Sequence, residues 1–524
     1  MKSLKSNPLF LPVFFFLVLV ALTAWHPVVD HDFGFHVAAG KEILSTGRVP
    51  DTDHLSVAGE GKPWINRLWG FQVLLYFFYK NLGFTGVSFL TSLLACATFS
   101  LLLLSVRKPG SPSFLIIFLL ALFIVQGRLR ERPEALSFFF LACVYYLLES
   151  HMEENPRRPR AVFLIPAVQL LWVNAHGLFI LGVMLQIFLF ISWEMERAIH
   201  GFFCFQMTHP TARKKRELLS IIFLSVLASF INPFGLKGAL VPFEQYSMMG
   251  GGSFFSNITE LVPTHQLLPG LWRADKLYLA VLVVFFFLAG APFFRSGARI
   301  SLYHLMVFLA FLFLAMKANR NLALFALAAA PFAGASLSTK TAGKDMPPYY
   351  WSHAVSFLLF VLVLLRAMNL LSGVLFVYPL GTGLYPPEKF ATRPVDFMLE
   401  NNIRGPVFPT DLRDGNLLLW KGIKPVYDGR LEIFGEDFFR QYHQKTITSR
   451  EDFESALDNY GANAVLVRRL MDNRYPAIAV CIPKRAQDLY ENPGWALVYM
   501  DGSFCIFIRN GQRQVDGRSK EEAS

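Results

Sequence analysis

Charged residues and cysteines are scarce in this chain of 524 residues, and each shortage excludes a class of protein. Only 17% of the residues are charged, whereas 54% are hydrophobic and 53 are Phe, with a mean hydropathy of +0.40. A chain this apolar cannot fold around one soluble core, so most of it must meet lipid. Cys96 and Cys143 lie in apolar runs and Cys204 in a basic loop, without metal-ligand spacing. Cys481 and Cys505 could pair in an oxidising compartment.

Three motifs of nucleotide- and zinc-dependent enzymes are also absent. The sequence has no Walker-type Gly-Lys-Ser/Thr loop, no Gly-x-Gly-x-x-Gly on a strand and no His-Glu-x-x-His. The formal charge of +11, from 49 Lys and Arg against 38 Asp and Glu, indicates cytoplasmic loops and anionic lipid headgroups rather than nucleic acid. Because nucleotide-binding motifs are absent, chemistry at the outer face would need an energy-rich donor that a lipid already carries.

Long apolar runs predict a polytopic α-helical membrane protein with about eleven transmembrane helices. The runs are 9–24, 84–105, 113–125, 135–148, 161–173, 178–193, 218–231, 277–294, 300–315, 321–337 and 353–378. We interpret the first run as an uncleaved span rather than a signal peptide. Residues 69–79 are too few to cross about 30 Å of hydrocarbon at 1.5 Å per residue, so they predict a membrane-lying helix.

With a cytoplasmic N-terminus, the basic clusters at 2–5, 107–108, 157–160, 213–216, 295–299 and 340–344 fall in inner loops. This topology predicts a transmembrane module over 1–384, with outer loops at 25–83 and 235–276, the second a candidate lid. A soluble α/β domain over 385–511 follows on the outer side, with strands expected at 406–409, 464–468, 495–500 and 504–508 and helices at 393–401 and 450–460. Residues 512–524 are expected to be disordered.

The first outer loop carries an Asp-x-Asp pair directly after the first span. Asp30 and Asp32, with His36 on the following turn, could supply a general base or bind a divalent cation that neutralises phosphate. The alternative is a helix N-cap within an ordinary acidic loop.

Several cations lie in outer connections, where the positive-inside rule disfavours them. They are Arg128, Arg130, Arg132, Lys317 and Arg320. Arginine binds phosphate through two parallel bonds, so the set predicts a seat for a lipid phosphate. These side chains could equally reach outer headgroups or pair with Glu131 and Glu134. Asn174 and His176 join the same outer layer as candidate substrate contacts.

Taken together, these motifs resemble the bacterial GT-C type membrane glycosyltransferases, in the branch whose first loop reads roughly Asp-x-Asp-aromatic-x-aromatic-His. The resemblance extends over Asp30-x-Asp32, His36, Gly40, Pro50, Asp53, Ser56, Trp64, Arg132-Pro133, Trp172-x-Asn174-x-His176-Gly177, Asn232-Pro233-x-Gly235, Arg320, Asp428-Gly429-Arg430, Glu436 and Pro493-Gly494-Trp495. One departure is Arg67, which stands in Asn66-Arg67-Leu68-Trp69 where the branch has Glu in His-Glu-Trp.

The resemblance implies an inverting glycosyltransferase in a bacterial inner membrane, with a polyprenyl-phosphate-linked sugar donor and an outer-face site. The acceptor would be a glycan, lipid or protein, and Asp30 or Asp32 would be the base. A divalent cation could take part, and nucleic acid is not an expected partner. The alternatives are a non-enzymatic lipid or glycan transporter and an envelope assembly protein. If the chain is an enzyme, its C-terminal part could support the acceptor site, and Asp428 and Arg430 could equally form a structural ion pair.

Overall fold

The computed structural model describes residues 8–106, 109, 111–153, 158, 160–198, 210–248, 260–294, 301–340, 348–370, 372–386, 390–438, 444–469 and 476–511. The chain divides into two compact units. The membrane unit comprises Met1–Pro27 and Asn81–Gly383, and the polar unit comprises Val28–Lys80 and Leu384–Ser524. The sequence-based division assigned 25–83 to the transmembrane module, whereas by its contacts Val28–Lys80 is part of the polar unit.

The described helices and strands follow one another along both units. The helices are α1 (Phe10–Ala24), α2 (Phe33–Thr46), α3 (Trp69–Leu104), α4 (Phe114–Val125), α5 (Pro133–Met152), α6 (Ile165–Val173), α7 (Ile180–Ala198), α8 (Ala212–Ser229), α9 (Gly235–Met248), α10 (Thr264–Ala274), α11 (Lys276–Phe294), α12 (Leu302–Lys317), α13 (Leu322–Lys340), α14 (Pro348–Ala367), α15 (Thr392–Glu400), α16 (Leu412–Trp420), α17 (Leu431–Asp437), α18 (Gln444–Thr448), α19 (Arg450–Asn459) and α20 (Pro476–Glu491). The strands are β1 (Val407–Pro409), β2 (Ala464–Arg468), β3 (Trp495–Met500) and β4 (Phe504–Arg509).

The expectation of a polytopic helical membrane protein is confirmed. Among the described residues, six helices are long and apolar enough to cross a membrane, and four shorter apolar helices accompany them. Each predicted apolar run coincides with a helix. The run 218–231 belongs to α8, in which four consecutive basic residues follow the first residue, Ala212. The last run is shorter than predicted, because α14 ends at Ala367 and Asn369 adopts a positive φ of 56°.

A break at Gly83 divides α3 into the two helices that the sequence predicts. Gly83 has φ 60° and ψ −146°, a conformation open to glycine and costly for other residues. The predicted elements 69–79 and 84–105 lie on the two sides of this break.

Small residues allow α13 to pack closely in the membrane unit, where it contacts α4, α11 and α12. Ala326, Ala330 and Ala333 are completely buried, and a Cβ added to Gly334 would lie 3.2 Å from the Phe118 ring. Because lipid tails are as apolar as Leu, such close approach, rather than hydrophobic burial, holds membrane helices together.

The polar unit contains a four-stranded sheet with the order β1-β2-β4-β3. Strands β1 and β2 are parallel, whereas β4 runs antiparallel to both β2 and β3. All five residues of β2 are buried, as expected for a central strand. The predicted α/β character of this part of the chain is confirmed. Cys505 is buried in β4, whereas the side chain of Cys481 lies outside the described residues.

The first-loop segment, residues 28–80, joins the C-terminal part of the polar unit through backbone bonds. The Val57 N–H donates to the Pro425 carbonyl at 3.1 Å, and the Ala58 N–H donates to the Val426 carbonyl at 2.9 Å. Val426 in turn donates its N–H to the Val407 carbonyl in β1 at 2.8 Å. The segment is thereby tied to the edge of the sheet.

Candidate functional site

The Asp-x-Asp pair forms a tight turn before α2. The Asp30 side chain is buried, and its Oδ1 accepts the Asp32 backbone N–H at 3.0 Å. The Asp30 carbonyl accepts the N–H of Phe33, the first residue of α2, at 3.2 Å. Asp32 stands at the N-cap position, but its side chain makes no capping bond to the helix. The N-cap alternative therefore does not account for the half-buried carboxylate of Asp32.

Asn416, on α16, holds the Asp32 carboxylate. Its Nδ2 donates to Asp32 Oδ1 at 3.1 Å, and its own Oδ1 accepts the Gly429 N–H at 2.8 Å. Nothing in the sequence patterns singled out Asn416. The signal beside it was Asp428-Gly429-Arg430, the turn to which the Asn416 amide is bonded.

A glycine brings α2 and α16 into backbone contact. A Cβ added to Gly34 would lie 2.1 Å from the Asn416 carbonyl oxygen, closer than any side chain can approach. The two helices can therefore meet at this distance only with glycine at position 34.

A buried ion triad fixes the turn that contains Gly429. The Arg430 guanidinium donates to Asp428 Oδ2 at 2.6 Å and to Asp53 Oδ1 at 2.7 Å, and all three side chains are fully buried. Its carbon lies 4.7 Å from the centre of the Trp64 ring. Burial alone would lower the pKa of Arg430, but Asp428 and Asp53 outweigh burial and raise it. Asp428 and Arg430 thus form the structural ion pair that the sequence left as an alternative, with Asp53 as a third member.

Charges also fix α16 itself. The Asp411 carboxylate accepts the backbone N–H of Arg413 at 2.9 Å as the helix N-cap, and the Arg413 side chain donates to it as well. Burial raises the pKa of Asp411, but the bonds from Arg413 and the charge of Arg468 outweigh burial and hold it well below its usual range.

His36, one of the predicted substrate contacts, is buried among aromatic side chains. Its ring centre lies 4.0 Å from that of Phe35 and 5.2 Å from that of Phe71. Further along α2, burial raises the pKa of Glu42 against the opposing charges of His54 and Arg430.

In the membrane unit, three of the predicted phosphate-binding arginines converge on one carboxylate, that of Glu260. Arg128 Nη1 and Arg130 Nη2 lie 3.0 and 2.5 Å from Glu260 Oε1, and Arg132 Nη1 lies 2.6 Å from Oε2. Arg128 also pairs with Glu134, as the sequence allowed. We call Arg128, Arg130 and Arg132 the arginine cluster.

The Arg320 segment joins this cluster through the backbone of Glu260. The Arg320 N–H donates to the Glu260 carbonyl at 3.1 Å, and the Asn319 N–H donates to the Val262 carbonyl at 3.0 Å. Lys317, at the end of α12, lies 5.5 Å from the centre of the Phe313 ring. In the sequence, Glu260 lies within the candidate lid at 235–276, and no pattern there indicates that its carboxylate would bind three guanidinium groups.

Asn174 and His176 follow the end of α6 and take part in a separate set of hydrogen bonds. Asn174 Nδ2 donates to the carbonyls of Leu170 and Ile231 at 2.8 and 2.9 Å. The Ser137 hydroxyl accepts the Trp172 Nε1–H at 2.8 Å, and it also lies 2.8 Å from His176 Nδ1, within hydrogen-bonding distance.

Binding of a divalent cation is one of the two functional roles that the sequence allows for the Asp-x-Asp pair. Within the ranges that the structure describes, no group of three or more His, Cys, Asp or Glu side chains is arranged to hold an ion.

The chain shares its fold with solved structures of GT-C membrane glycosyltransferases. The Archaeoglobus fulgidus oligosaccharyltransferase AglB, in complex with an inhibitory peptide and a dolichol-phosphate, is 12% identical, with a TM-score of 0.53 over 98% of this chain and 75% of that one. The oligosaccharyltransferase of that organism, tethered to an acceptor peptide, gives a TM-score of 0.60 at 12% identity over 97% and 74%.

A bacterial glycosyltransferase has the same fold. ArnT from Cupriavidus metallidurans in the apo state is 12% identical, with a TM-score of 0.50 over 95% of this chain and 97% of that one. No protein-family model and no curated protein matches the sequence.

Proposed function

We propose that this protein is an inverting glycosyltransferase that moves a sugar from a polyprenyl-phosphate-linked donor to an acceptor hydroxyl at the outer face of a bacterial inner membrane. The observation that carries the proposal is the convergence of three arginines on one carboxylate. Guanidinium groups placed to surround a small anion suit a lipid phosphate, whose charge grows as the sugar departs. The shared fold supports the same class, since its members include an oligosaccharyltransferase seen with dolichol-phosphate.

The reaction requires one base and one stabilised leaving group. A carboxylate takes the proton of the acceptor hydroxyl, and the oxygen forms a bond to the anomeric carbon from the face opposite the phosphate. The bond between the anomeric carbon and the phosphate oxygen breaks, and its electron pair leaves on the polyprenyl phosphate. Arg128, Arg130 and Arg132 would stabilise that anion.

Of the two candidate bases, we assign the role to Asp32. The Asp30 side chain is only 4% exposed and one of its oxygens closes the turn through the Asp32 N–H. Asp32 is more exposed, and its carboxylate is held in place by the Asn416 amide. Asp30 then serves to shape the turn.

The proposed orientation follows from the positive-inside rule. The N-terminus would be cytoplasmic, and the polar unit, with the first-loop segment, would lie in the periplasm. Arg320 and Lys317 would contribute positive charge near the phosphate, and the acceptor would be a glycan, lipid or protein.

The test compares Asp32→Asn with Asp30→Asn in membranes supplied with a polyprenyl-phosphate-linked sugar. Asp32→Asn should lose sugar transfer by at least about a hundredfold, the range expected on removing a general base. Lipid-linked sugars and surface glycans of a deletion strain, compared by mass spectrometry, would identify the accumulated donor and the missing decoration. Undiminished transfer by Asp32→Asn, at normal expression, would overturn the base assignment. An unaltered set of lipid-linked sugars and glycans would favour a non-enzymatic role.

A further inference from the structure

The Asn416 side chain connects the C-terminal part of the polar unit to the candidate base. It is buried, and its two polar atoms bond to different partners, Asp32 Oδ1 at 3.1 Å and the Gly429 N–H at 2.8 Å. A backbone N–H can only donate, so the amide oxygen must face Gly429 and the NH₂ group must face Asp32. The bond to the Gly429 N–H therefore determines that the NH₂ group of Asn416, and not its oxygen, faces Asp32.

The surroundings leave Asn416 little room to move. A Cβ added to Gly415 would lie 2.3 Å from the Tyr427 carbonyl oxygen, so α16 packs directly against the backbone at Tyr427 and Asp428. On the other side, Gly34 brings α2 against the Asn416 carbonyl. The backbone of α16 at residues 415–416 thus lies between two other backbones that the two glycines allow to approach, and this fixes the point from which the Asn416 side chain extends.

The turn that orients Asn416 is itself fastened to the first-loop segment. Gly429 lies between Asp428 and Arg430, and the Arg430 guanidinium bonds to both Asp428 and Asp53. Asp53 also accepts the Ser56 hydroxyl at 2.5 Å. The same buried ion triad therefore fixes both the turn that orients Asn416 and the segment that carries Asp32.

We infer that Asn416 is a positioning residue for Asp32, holding the carboxylate in the one orientation from which it takes the acceptor proton. The inference rests on the proposed role of Asp32. A carboxylate that rotates freely spends little time aligned with the acceptor hydroxyl, and misplacement by about 1 Å can cost about a hundredfold in rate. The C-terminal part of the chain then contributes to catalysis by geometry, without touching the reacting atoms.

Asn416→Asp separates positioning from a merely structural role. The new carboxylate keeps the acceptor for the Gly429 N–H and nearly the same shape, but it presents an oxygen to Asp32 where a donor stood. We expect kcat to fall about a hundredfold while KM for the lipid-linked donor stays unchanged. If Asn416 served only to bind Gly429, Asn416→Asp would behave like the wild type. Asn459→Asp makes the same chemical change on the exposed end of α19 and is the matched control.

A double variant provides a readout that does not depend on activity. In Asp32→Asn/Asn416→Asp the hydrogen bond can form again with donor and acceptor exchanged. The thermal midpoint of the full-length protein in detergent should therefore recover relative to Asn416→Asp alone, whereas sugar transfer should stay lost. A midpoint no higher than that of Asn416→Asp would contradict the contact on which the inference depends.

The two proposals fail differently. Wild-type kcat in Asn416→Asp, together with lost transfer in Asp32→Asn, would overturn the positioning role and leave the base in place. Full transfer by Asp32→Asn would overturn the base assignment, and the positioning role with it.

Discussion

At the scale of single residues, the charge balance around Arg430 constrains the polar unit. One guanidinium serves two carboxylates, and none of the three side chains is exposed. Removing one partner from such a buried group leaves charges that neither water nor protein neutralises, which costs far more than the intact group contributes.

Arg430→Gln should therefore destabilise the protein by about 3–5 kcal/mol, because Asp53 and Asp428 would remain buried without a cation. The measurement is the thermal midpoint of the full-length protein in detergent. Arg430→Lys keeps the charge but loses the planar fork of the guanidinium group, so its midpoint should fall between those of the wild type and Arg430→Gln. Arg450→Gln, which breaks the exposed pair with Glu454 on α19, should leave the midpoint nearly unchanged. Equal midpoints for Arg430→Gln and Arg450→Gln would contradict this account.

At the scale of elements, the sequence predicts well the helices and strands whose bounds depend on local residue patterns. Strand β2 was predicted at its observed bounds because it is a short apolar run between polar turns, and Ser449 caps α19 where the predicted helix begins. Gly83 likewise separates the two parts of α3 as the pattern indicates.

Pairings between distant segments were beyond the same reasoning. Asp32 and Asn416 are 384 positions apart, and Asp53 and Arg430 are 377 apart. No periodicity connects such residues, so the acidic turn was predicted and its partner was missed. The three arginines of the cluster were expected together from the predicted topology, but the carboxylate on which they converge was not.

Also at the scale of elements, Glu260 connects the segment before α10 with the arginine cluster. If the cluster seats a lipid phosphate, the carboxylate competes with that phosphate for the same donors. Glu260→Gln should then bind undecaprenyl phosphate about tenfold more tightly, since a bond to a charged group contributes about 1.5–3 kcal/mol. The measurement is the shift of thermal midpoint with added undecaprenyl phosphate in detergent.

The matched control is Glu217→Gln on α8, whose partner Arg213 is largely exposed, and it should bind undecaprenyl phosphate as the wild type does. Weaker binding by Glu260→Gln would instead show that the carboxylate takes part in holding the ligand.

At the scale of the whole molecule, the polar unit is built from two stretches of chain that the membrane helices separate in sequence. A chain that ends at Gly383 would keep the first-loop segment and lose every partner it has in the C-terminal part. Asp53 would lack Arg430, and the apolar face of α2 would lack α16. Such a segment buries too little surface to offset its conformational entropy.

We therefore expect trypsin to cleave the chain ending at Gly383 after Arg67, which is partly buried in the full-length protein. Mass spectrometry of the fragments identifies the site, and a chain ending at Gly511 should resist cleavage there. Equal resistance of the two truncated chains would mean that the first-loop segment folds without the C-terminal part.

The bond between Asp32 and Asn416 also has a consequence for the order in which the protein is made. Asp32 emerges early in synthesis, and its partner follows 384 residues later. At about 5–20 residues per second, roughly 20–80 seconds separate the two. During that interval the newborn chain possesses its first membrane helices but lacks the Asn416 bond to Asp32. If Asp32 is the base that we propose, each molecule stays inactive until translation is almost complete, and a prematurely terminated chain remains inactive in the membrane.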